Sequence, residues 1–150
     1  MRKGRGMTLR LWQRLALLAL LVMGMAGGAL ANSGGDPRVA AAREAALAWL
    51  ALTDEGKGAE SWRLAASAFR VQATTEKWTD VLRGVRAPLG LTKSRRPRMA
   101  QYTTELSGAP VGEYVVLGFF SSFENKLEAE ETVILTREAG AWKPLGYFIK

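Results

Sequence analysis

The sequence contains no cysteine and no histidine. Nucleophilic systems of the Ser-His-Asp or Cys-His type are therefore excluded, and so is a zinc site built from these residues. General acid–base chemistry would depend on carboxylate, lysine or tyrosine side chains. Without disulfides, the stability of the protein must come from its hydrophobic core. We predict neither a metal nor a cofactor.

Acidic residues are missing from the first 14 positions, which carry five basic side chains. An uncharged run of 17 residues follows, from Leu15 to Ala31, and it ends in the small-x-small triplet 29–31. This order is typical of a secretory signal peptide. We predict cleavage after Ala31 and export to the periplasm or the extracellular space. The alternative is an uncleaved inner-membrane anchor. Spanning a bilayer takes roughly 17–25 apolar residues, so this run lies at the lower limit of that range.

The net charge of +7 is concentrated in this N-terminal segment. Residues 32–150 contain 16 basic and 14 acidic side chains, which leaves a net charge of only +2. We therefore predict no nucleic-acid partner, and contact with a membrane only transiently through the signal peptide. Residues 32–150 are enough for one domain and too few for two.

Helical periodicity dominates the first half of residues 32–150. The first predicted helix has Asp36 as its N-cap and extends from Pro37 to about Leu52. The second covers about Ala59–Phe69, and the third begins after the N-cap Thr74 and closes at Pro88 and Gly90. Each helix presents one tryptophan on its apolar face: Trp49, Trp62 and Trp78. This spacing favours core anchors over an aromatic cage or a sugar platform.

Strand patterns dominate the second half. The segment Val115–Phe120 is apolar on both alternating faces, so we expect a central strand that is covered on both sides. The other strands are predicted at Arg98–Leu106, Glu130–Arg137 and Trp142–Ile149, with Pro144 at an edge or a bulge. The order predicts an α+β domain, in which three helices pack on one face of a curved four-stranded antiparallel sheet.

Short segments spread over nearly all of residues 32–150 carry a family resemblance: 48–52, 60–62, 85–90, 94–96, 102–104, 112–116, 122–123, 125–126, 131–133 and 146–149. Together they resemble an uncharacterised bacterial family, domain of unknown function 4019. The resemblance implies a small exported protein and assigns no activity. The order of elements is also similar to the cone-shaped fold of nuclear transport factor 2 and ketosteroid isomerase. That likeness is one of fold alone and transfers no catalytic residue.

Carboxylates are absent from the middle of the predicted apolar strands. All four candidates lie at predicted strand ends, where solvated charge is expected: Glu113, Glu124, Glu130 and Glu131. A steroid-isomerase-like site would need a tyrosine and an acid in an apolar cavity. Three tyrosines could face such a cavity: Tyr102, Tyr114 and Tyr147. The sequence therefore supplies the tyrosine of such a site but not its acid.

The segment Lys93–Arg98 is the one dense charge cluster of residues 32–150. It predicts either an anion site, because paired arginines suit phosphate and carboxylate groups, or a solvated edge strand protected by charge and proline. A polar cluster at the end of the central strand is either a pocket rim or an ordinary hairpin end. The candidate ligand-binding residues are Arg95, Arg96, Tyr102, Thr104, Tyr114, Ser122, Asn125 and Lys126.

Three functional hypotheses follow. The first is a non-enzymatic exported module that binds a small ligand or an envelope protein. The second is a small isomerase or hydratase that uses a tyrosine and a carboxylate on a cone-shaped fold. The third is a structural homodimer, in which the second apolar face of the central strand packs against its symmetry mate.

Overall fold

The computed structural model describes residues 35–150. Four helices come first: α1 (Pro37–Asp54), α2 (Gly58–Leu64), α3 (Ser67–Gln72) and α4 (Thr75–Arg86). Four strands follow: β1 (Thr92–Thr103), β2 (Tyr114–Phe123), β3 (Lys126–Glu138) and β4 (Ala141–Ile149). The predicted α+β class is confirmed. The predicted signal peptide lies outside the described residues, and within them no helix is long and apolar enough to cross a membrane.

Two of the three predicted helix starts are confirmed by their caps. The Asp36 carboxylate accepts the backbone N–H of Arg38 at 2.8 Å, and the Thr74 hydroxyl accepts that of Lys77 at 3.3 Å. The single helix predicted at Ala59–Phe69 is wrong, because the chain there forms α2 and α3 with an extended break between them.

The break falls at Ala65 and Ala66, whose ψ angles are 162° and 152°. Both residues are completely buried, and the Ala66 N–H donates to the carbonyl of Pro144 in β4 at 2.8 Å. The helix is interrupted because this backbone bonds to the sheet instead of to its own preceding turn. Periodicity alone does not reveal that exchange, since alanine is the best helix former.

The sheet is an open antiparallel meander in the order β1-β2-β3-β4. The central position of the apolar strand is confirmed, because Val115 in β2 pairs with Tyr102 in β1 and with Leu135 in β3. β4 is an edge strand, and Pro144 lies beside the register shift of its ladder with β3, as predicted.

Two predicted strand starts and one predicted strand end are wrong: β1 ends at Thr103, and the predicted last residue, Leu106, lies in the loop that follows. β1 begins at Thr92, six residues before the predicted Arg98, so the basic segment Lys93–Arg98 lies inside a strand. β3 begins at Lys126, four residues before the predicted Glu130. In both cases charged residues occupy the first part of a strand, where their hydrophilic character resembles that of a loop. Because these charged residues lie within strands, their side chains alternate between the two faces of the sheet.

The helices cover one face of the sheet, which we call the covered face. Its core includes Val115, Leu117 and Phe119 from β2, all at most 2% exposed. Trp49 and Trp78 pack above them with ring centroids 5.8 Å apart. The interpretation of these two tryptophans as core anchors is confirmed, whereas the third, Trp62, is only partly buried.

The opposite face carries no helix across its centre, and we call it the open face. At one end the β1–β2 loop, residues 104–113, covers it, and Leu106 from this loop packs on Tyr114, Val116 and Ile134. At the other end Phe120 is 44% exposed. The two apolar faces of β2 are therefore covered in different ways, by helices on one side and by a loop over part of the other.

Candidate functional site

A buried cluster of charged groups lies on the covered face, beside the apolar core. Glu131 in β3 is completely buried, and its carboxylate accepts the Arg95 Nε–H at 2.7 Å and the Arg95 Nη2–H at 3.2 Å. It also accepts hydrogen bonds from the hydroxyls of Ser121 and Tyr147. Both carboxylate oxygens are therefore fully engaged by neighbouring side chains.

Asp54, the last residue of α1, forms the second anionic centre of this cluster. Its carboxylate accepts from Arg86 Nη2 at 2.7 Å and from Arg95 Nη1 and Nη2 at 3.1 and 3.0 Å. The Thr92 hydroxyl donates to it at 2.9 Å. Arg95 thus bridges two carboxylates. We call Asp54, Arg86, Arg95 and Glu131 the buried quartet, in which the Asp54 side chain is the most exposed, at 25%.

The quartet contains two positive and two negative side chains, so its formal charge is zero. Arg86 also donates to the Tyr147 hydroxyl at 3.1 Å, and its guanidinium carbon lies 4.8 Å from the centre of the Phe123 ring. The Arg86 Nε is the exception within the quartet, since it is buried without a partner among the described residues. Such a mutually neutralised cluster is the form in which charge can be buried.

The surroundings shift the pKa values of three groups. Burial raises the pKa of the Tyr147 hydroxyl, and the negative charge of Glu131 adds to this effect, so Tyr147 stays protonated. Burial opposes ionisation of Asp54, but hydrogen bonds and charge from Arg95 outweigh it and lower the pKa of that carboxyl. Burial also opposes the charge of Arg95, yet its two carboxylate partners raise the pKa of Arg95.

The expectation that Glu130 and Glu131 lie at a strand end is wrong, and Glu131 is not solvated either. It stands in the middle of β3 opposite Phe119, on the face of Val133 and Leu135. The sequence does carry a signal for this, because Glu131, Val133 and Leu135 follow the two-residue period of one strand face. We missed it because the predicted strand began at Glu130. The partners that neutralise Glu131 come from distant segments, which a local pattern cannot show.

The cluster brings together the tyrosine and the buried acid that an isomerase-type site requires. Glu131, however, lines none of the three cavities described among residues 35–150, and its oxygens are occupied by protein donors. The arrangement of the cluster serves to hold α1, α4 and the sheet together. No group of three potential metal-ligating side chains occurs within residues 35–150.

A groove of about 610 Å³ lies at the end of β2 and the beginning of β3, and we call it the basic groove. Three cations line it, Arg96, Lys126 and Lys150, and none of them forms an ion pair within residues 35–150. Ser94 and Ser122 add polar groups to the lining. The groove therefore offers positive charge that the described protein does not neutralise.

Apolar and acidic side chains complete the basic groove. Phe120 and Leu127 line it and are 44% and 75% exposed. Of its two carboxylates, Glu130 lies 3.5 Å from Arg98, while Glu128 forms no ion pair among the described residues. Among the side chains of the described residues, three free cations against one free carboxylate give the groove a positive balance.

The structure separates the eight residues proposed from the sequence. Arg96, Ser122 and Lys126 meet in the basic groove, and Asn125 is adjacent in the β2–β3 turn, where its amide donates to the Pro88 carbonyl. Arg95 points to the covered face and belongs to the buried quartet.

The other three of the eight lie elsewhere. Tyr102 is partly buried under the guanidinium of Arg38, 3.6 Å from the ring centre. Thr104 is exposed in the β1–β2 loop, and Tyr114 is buried with its hydroxyl donating to the Pro110 carbonyl at 2.6 Å. No single site contains all eight residues.

Comparison with known proteins gives one match. The model of a family described as "Protein of unknown function (DUF4019)" matches residues 45–147, which include α2 to β3 and most of α1 and β4. None of the curated proteins and none of the solved structures matches the chain.

Proposed function

The chain belongs to the DUF4019 family, whose description assigns no activity, and we propose that it is an exported, non-enzymatic module that binds a small organic anion in the basic groove. The observation that carries this proposal is the convergence of Arg96, Lys126 and Lys150 around one groove, without ion-pair partners among residues 35–150. Unpaired cations at one concave surface are an ordinary means of holding a carboxylate or a phosphate.

The chemistry of the lining defines the ligand class. The planar Arg96 guanidinium can donate two parallel hydrogen bonds to a carboxylate or phosphate, and the two lysines add point charges. The exposed ring of Phe120 and the side chain of Leu127 offer apolar contact beside these charges. A ligand with one anionic group and a small ring or short alkyl part satisfies both kinds of surface.

Phenyl phosphate is a suitable probe because two control compounds each carry one of its two parts, the charge or the ring. We expect phenyl phosphate to bind more tightly than inorganic phosphate, which lacks the ring, and phenol, which lacks the charge. Titration calorimetry on the purified full chain measures all three. The affinity should fall as salt is raised, because the contacts are between solvent-exposed charges.

A matched pair of arginine variants locates the site. Arg96→Gln should weaken phenyl phosphate binding roughly tenfold, because about 1.5 kcal/mol of charge-assisted hydrogen bonding is lost. Arg63→Gln, which removes an exposed arginine of α2 outside the groove, should leave the affinity unchanged. Equal affinities for the two variants would reject the basic groove as the binding site.

Export is the second part of the proposal, and the order of basic, apolar and small residues in positions 1–31 supports it. When the full chain is expressed in a bacterial host, the periplasmic fraction should contain a product whose intact mass is that of a chain beginning at Asn32. An uncut product in the membrane fraction would favour the anchored alternative, and an uncut product in the cytoplasm would contradict export.

The isomerase or hydratase hypothesis on a cone-shaped fold has one specific observation in its favour, the pairing of the Tyr147 hydroxyl with the Glu131 carboxylate. A substrate would have to displace the donors that already occupy Glu131, so the binding hypothesis is preferred. The homodimer hypothesis would place a second copy over Phe120 and Met99 on the open face, and sedimentation velocity tests it directly.

A further inference from the structure

A second cavity, of about 350 Å³, lies at the other end of the molecule, between the open face and the β1–β2 loop. We call it the loop cavity. Its floor is formed by Ile134 of β3 and Phe148 of β4, and its roof by Leu106 and Ala109 of the loop. Its volume falls at the low end of the range of small-molecule sites.

The lining of the loop cavity is mostly apolar and contains no cation. Its one ionised side chain within the described residues is Glu138, and that carboxylate already accepts from the N–H and the hydroxyl of Ser67 at 2.9 and 2.8 Å. The Lys143 Nζ lies 4.0 Å from the Glu138 carboxylate, but Lys143 is not part of the lining. An anionic ligand would meet negative charge here, so the site fits a neutral molecule.

Glycine keeps part of this space open. Gly146 lines the cavity, and a Cβ at this position would lie 3.3 Å from the Phe148 ring and 3.8 Å from Ile134. A larger residue would therefore press on the floor and occupy the cavity. Because glycine within a strand gives up packing and backbone stability, its presence here is consistent with space that is retained.

The roof is held by a specific contact. The Tyr114 hydroxyl donates to the Pro110 carbonyl at 2.6 Å, and Gly112 lies so close to the Tyr114 ring that a Cβ there would be 3.3 Å from the hydroxyl oxygen. Gly108 adopts a φ of 79°, which other residues rarely reach. The loop is thus fixed above the sheet without filling the space beneath it.

We propose that the loop cavity is a second binding site, which takes a neutral apolar small molecule of the size of a medium-chain alkyl or single-ring aryl compound. The ligand would contact the apolar side chains of the lining, among them Leu106, Ile134 and Phe148, and expose its polar end, if it has one, to Gln72 and Thr136. This site shares no residue with the basic groove, and it does not depend on the anion proposal.

Octan-1-ol is an uncharged probe of suitable size, and residue-resolved NMR on the isotope-labelled full chain measures its binding. We expect saturable shifts for the methyl groups of Leu106, Ile134 and Leu145. Shifts that rise linearly with the octanol concentration, or that occur only elsewhere in the protein, would overturn the proposal.

Two alanines of the short helices provide a matched pair of variants. Ala68 in α3 is exposed and lies at the cavity lining, whereas Ala59 in α2 is exposed and lies outside it. Ala68→Phe should occupy the mouth and weaken octanol binding at least tenfold, while Ala59→Phe should leave it unchanged. Gln72→Trp, a second exposed position at the lining, should repeat the effect of Ala68→Phe.

The failure of this proposal is distinguishable from failure of the anion proposal. Arg96→Gln should leave octanol binding intact, and phenyl phosphate should not shift the methyl groups of the loop cavity. Octanol binding that survives both Ala68→Phe and Gln72→Trp, in proteins whose amide spectra stay folded, would reject the loop cavity. Loss of octanol binding in Arg96→Gln would contradict the independence of the two sites.

Discussion

Arg95 and Arg96 are neighbours in β1, and the alternation of the strand sends them to opposite faces of the sheet. The Arg95 side chain is 11% exposed and contacts two carboxylates, Asp54 and Glu131. Arg96 is exposed, lines the basic groove and forms no ion pair among the described residues. The same charge stabilises the fold at one position and stays available to a ligand at the next.

This difference follows from the cost of burying charge. A cation beneath the helices must be matched by anions and hydrogen bonds, because the loss of hydration is otherwise too expensive. A cation on the open face keeps its water and needs no partner from the protein. Charge on the covered face therefore indicates a structural role, whereas unpaired charge on the open face is what the binding role proposed above would use.

The largest expected effect on stability comes from replacing Arg95, the paired arginine of this comparison. Arg95→Met should lower the free energy of unfolding by about 3–5 kcal/mol, because it leaves two carboxylates without their shared cation. Arg96→Met should change it by no more than about 0.5 kcal/mol, the usual limit for an exposed position. Urea denaturation followed by tryptophan fluorescence measures both. Similar losses for the two variants would contradict the division between the faces.

A smaller effect tests whether the covered face also depends on neutral donors. The Ser61 hydroxyl accepts the Trp78 Nε1–H at 2.9 Å in a buried position. Ser61→Ala should cost about 1–3 kcal/mol, since it leaves that indole donor unpartnered away from water. Ser107→Ala, in the exposed part of the β1–β2 loop, serves as the control and should be neutral. A neutral Ser61→Ala would show that water replaces the lost acceptor.

The contrast between the two arginines also shows how far the sequence predicts this protein. Apolar periodicity correctly predicts α1, α4, the central strand and the α+β class, because each depends on residues close in sequence. The charge cluster of β1 and the polar cluster at the end of β2 separately place Arg96, Ser122 and Lys126 among the eight candidates, and these three meet in the groove. The buried quartet is not predictable in this way. Its members come from α1, α4, β1 and β3, and their neutralisation depends on contacts between distant segments.

The pH dependence of stability gives a third test of the covered face. Hydrogen bonds and charge from Arg95 depress the pKa of Asp54 in the folded state, against the opposing effect of burial. A carboxyl with a depressed folded pKa contributes stability above its unfolded pKa of about 3.9, and that stability is lost as pH falls through the lower folded value. Asp54 should therefore contribute fully at neutral pH and progressively less below about pH 4.

Asp54→Asn makes this contribution measurable. The difference in urea midpoint between the wild-type protein and Asp54→Asn should be constant at neutral and mildly acidic pH and should shrink below about pH 4. The control is Asp80→Asn, because Asp80 is exposed and, among residues 35–150, forms an ion pair only with the exposed Arg83. Its midpoint should follow that of the wild type over the whole pH range. A difference for Asp54→Asn that stays constant into acid would contradict the role of Arg95.

The smallest expected effect sharpens the other side of the comparison, the excess positive charge of the basic groove. Glu128 lines the groove without an ion pair among the described residues, so it opposes an incoming anion. Glu128→Gln should strengthen phenyl phosphate binding about two- to fivefold, which corresponds to a typical surface-charge interaction of about 0.4–1 kcal/mol. The gain should disappear at high salt, since screening removes interactions between exposed charges first.

Glu76→Gln, which replaces an exposed carboxylate of α4 outside the groove, should give no gain in affinity, because a change of net charge alone does not act at one site. Equal gains for the two variants would mean that the anion responds to the overall charge of the protein and not to the cations gathered at the groove.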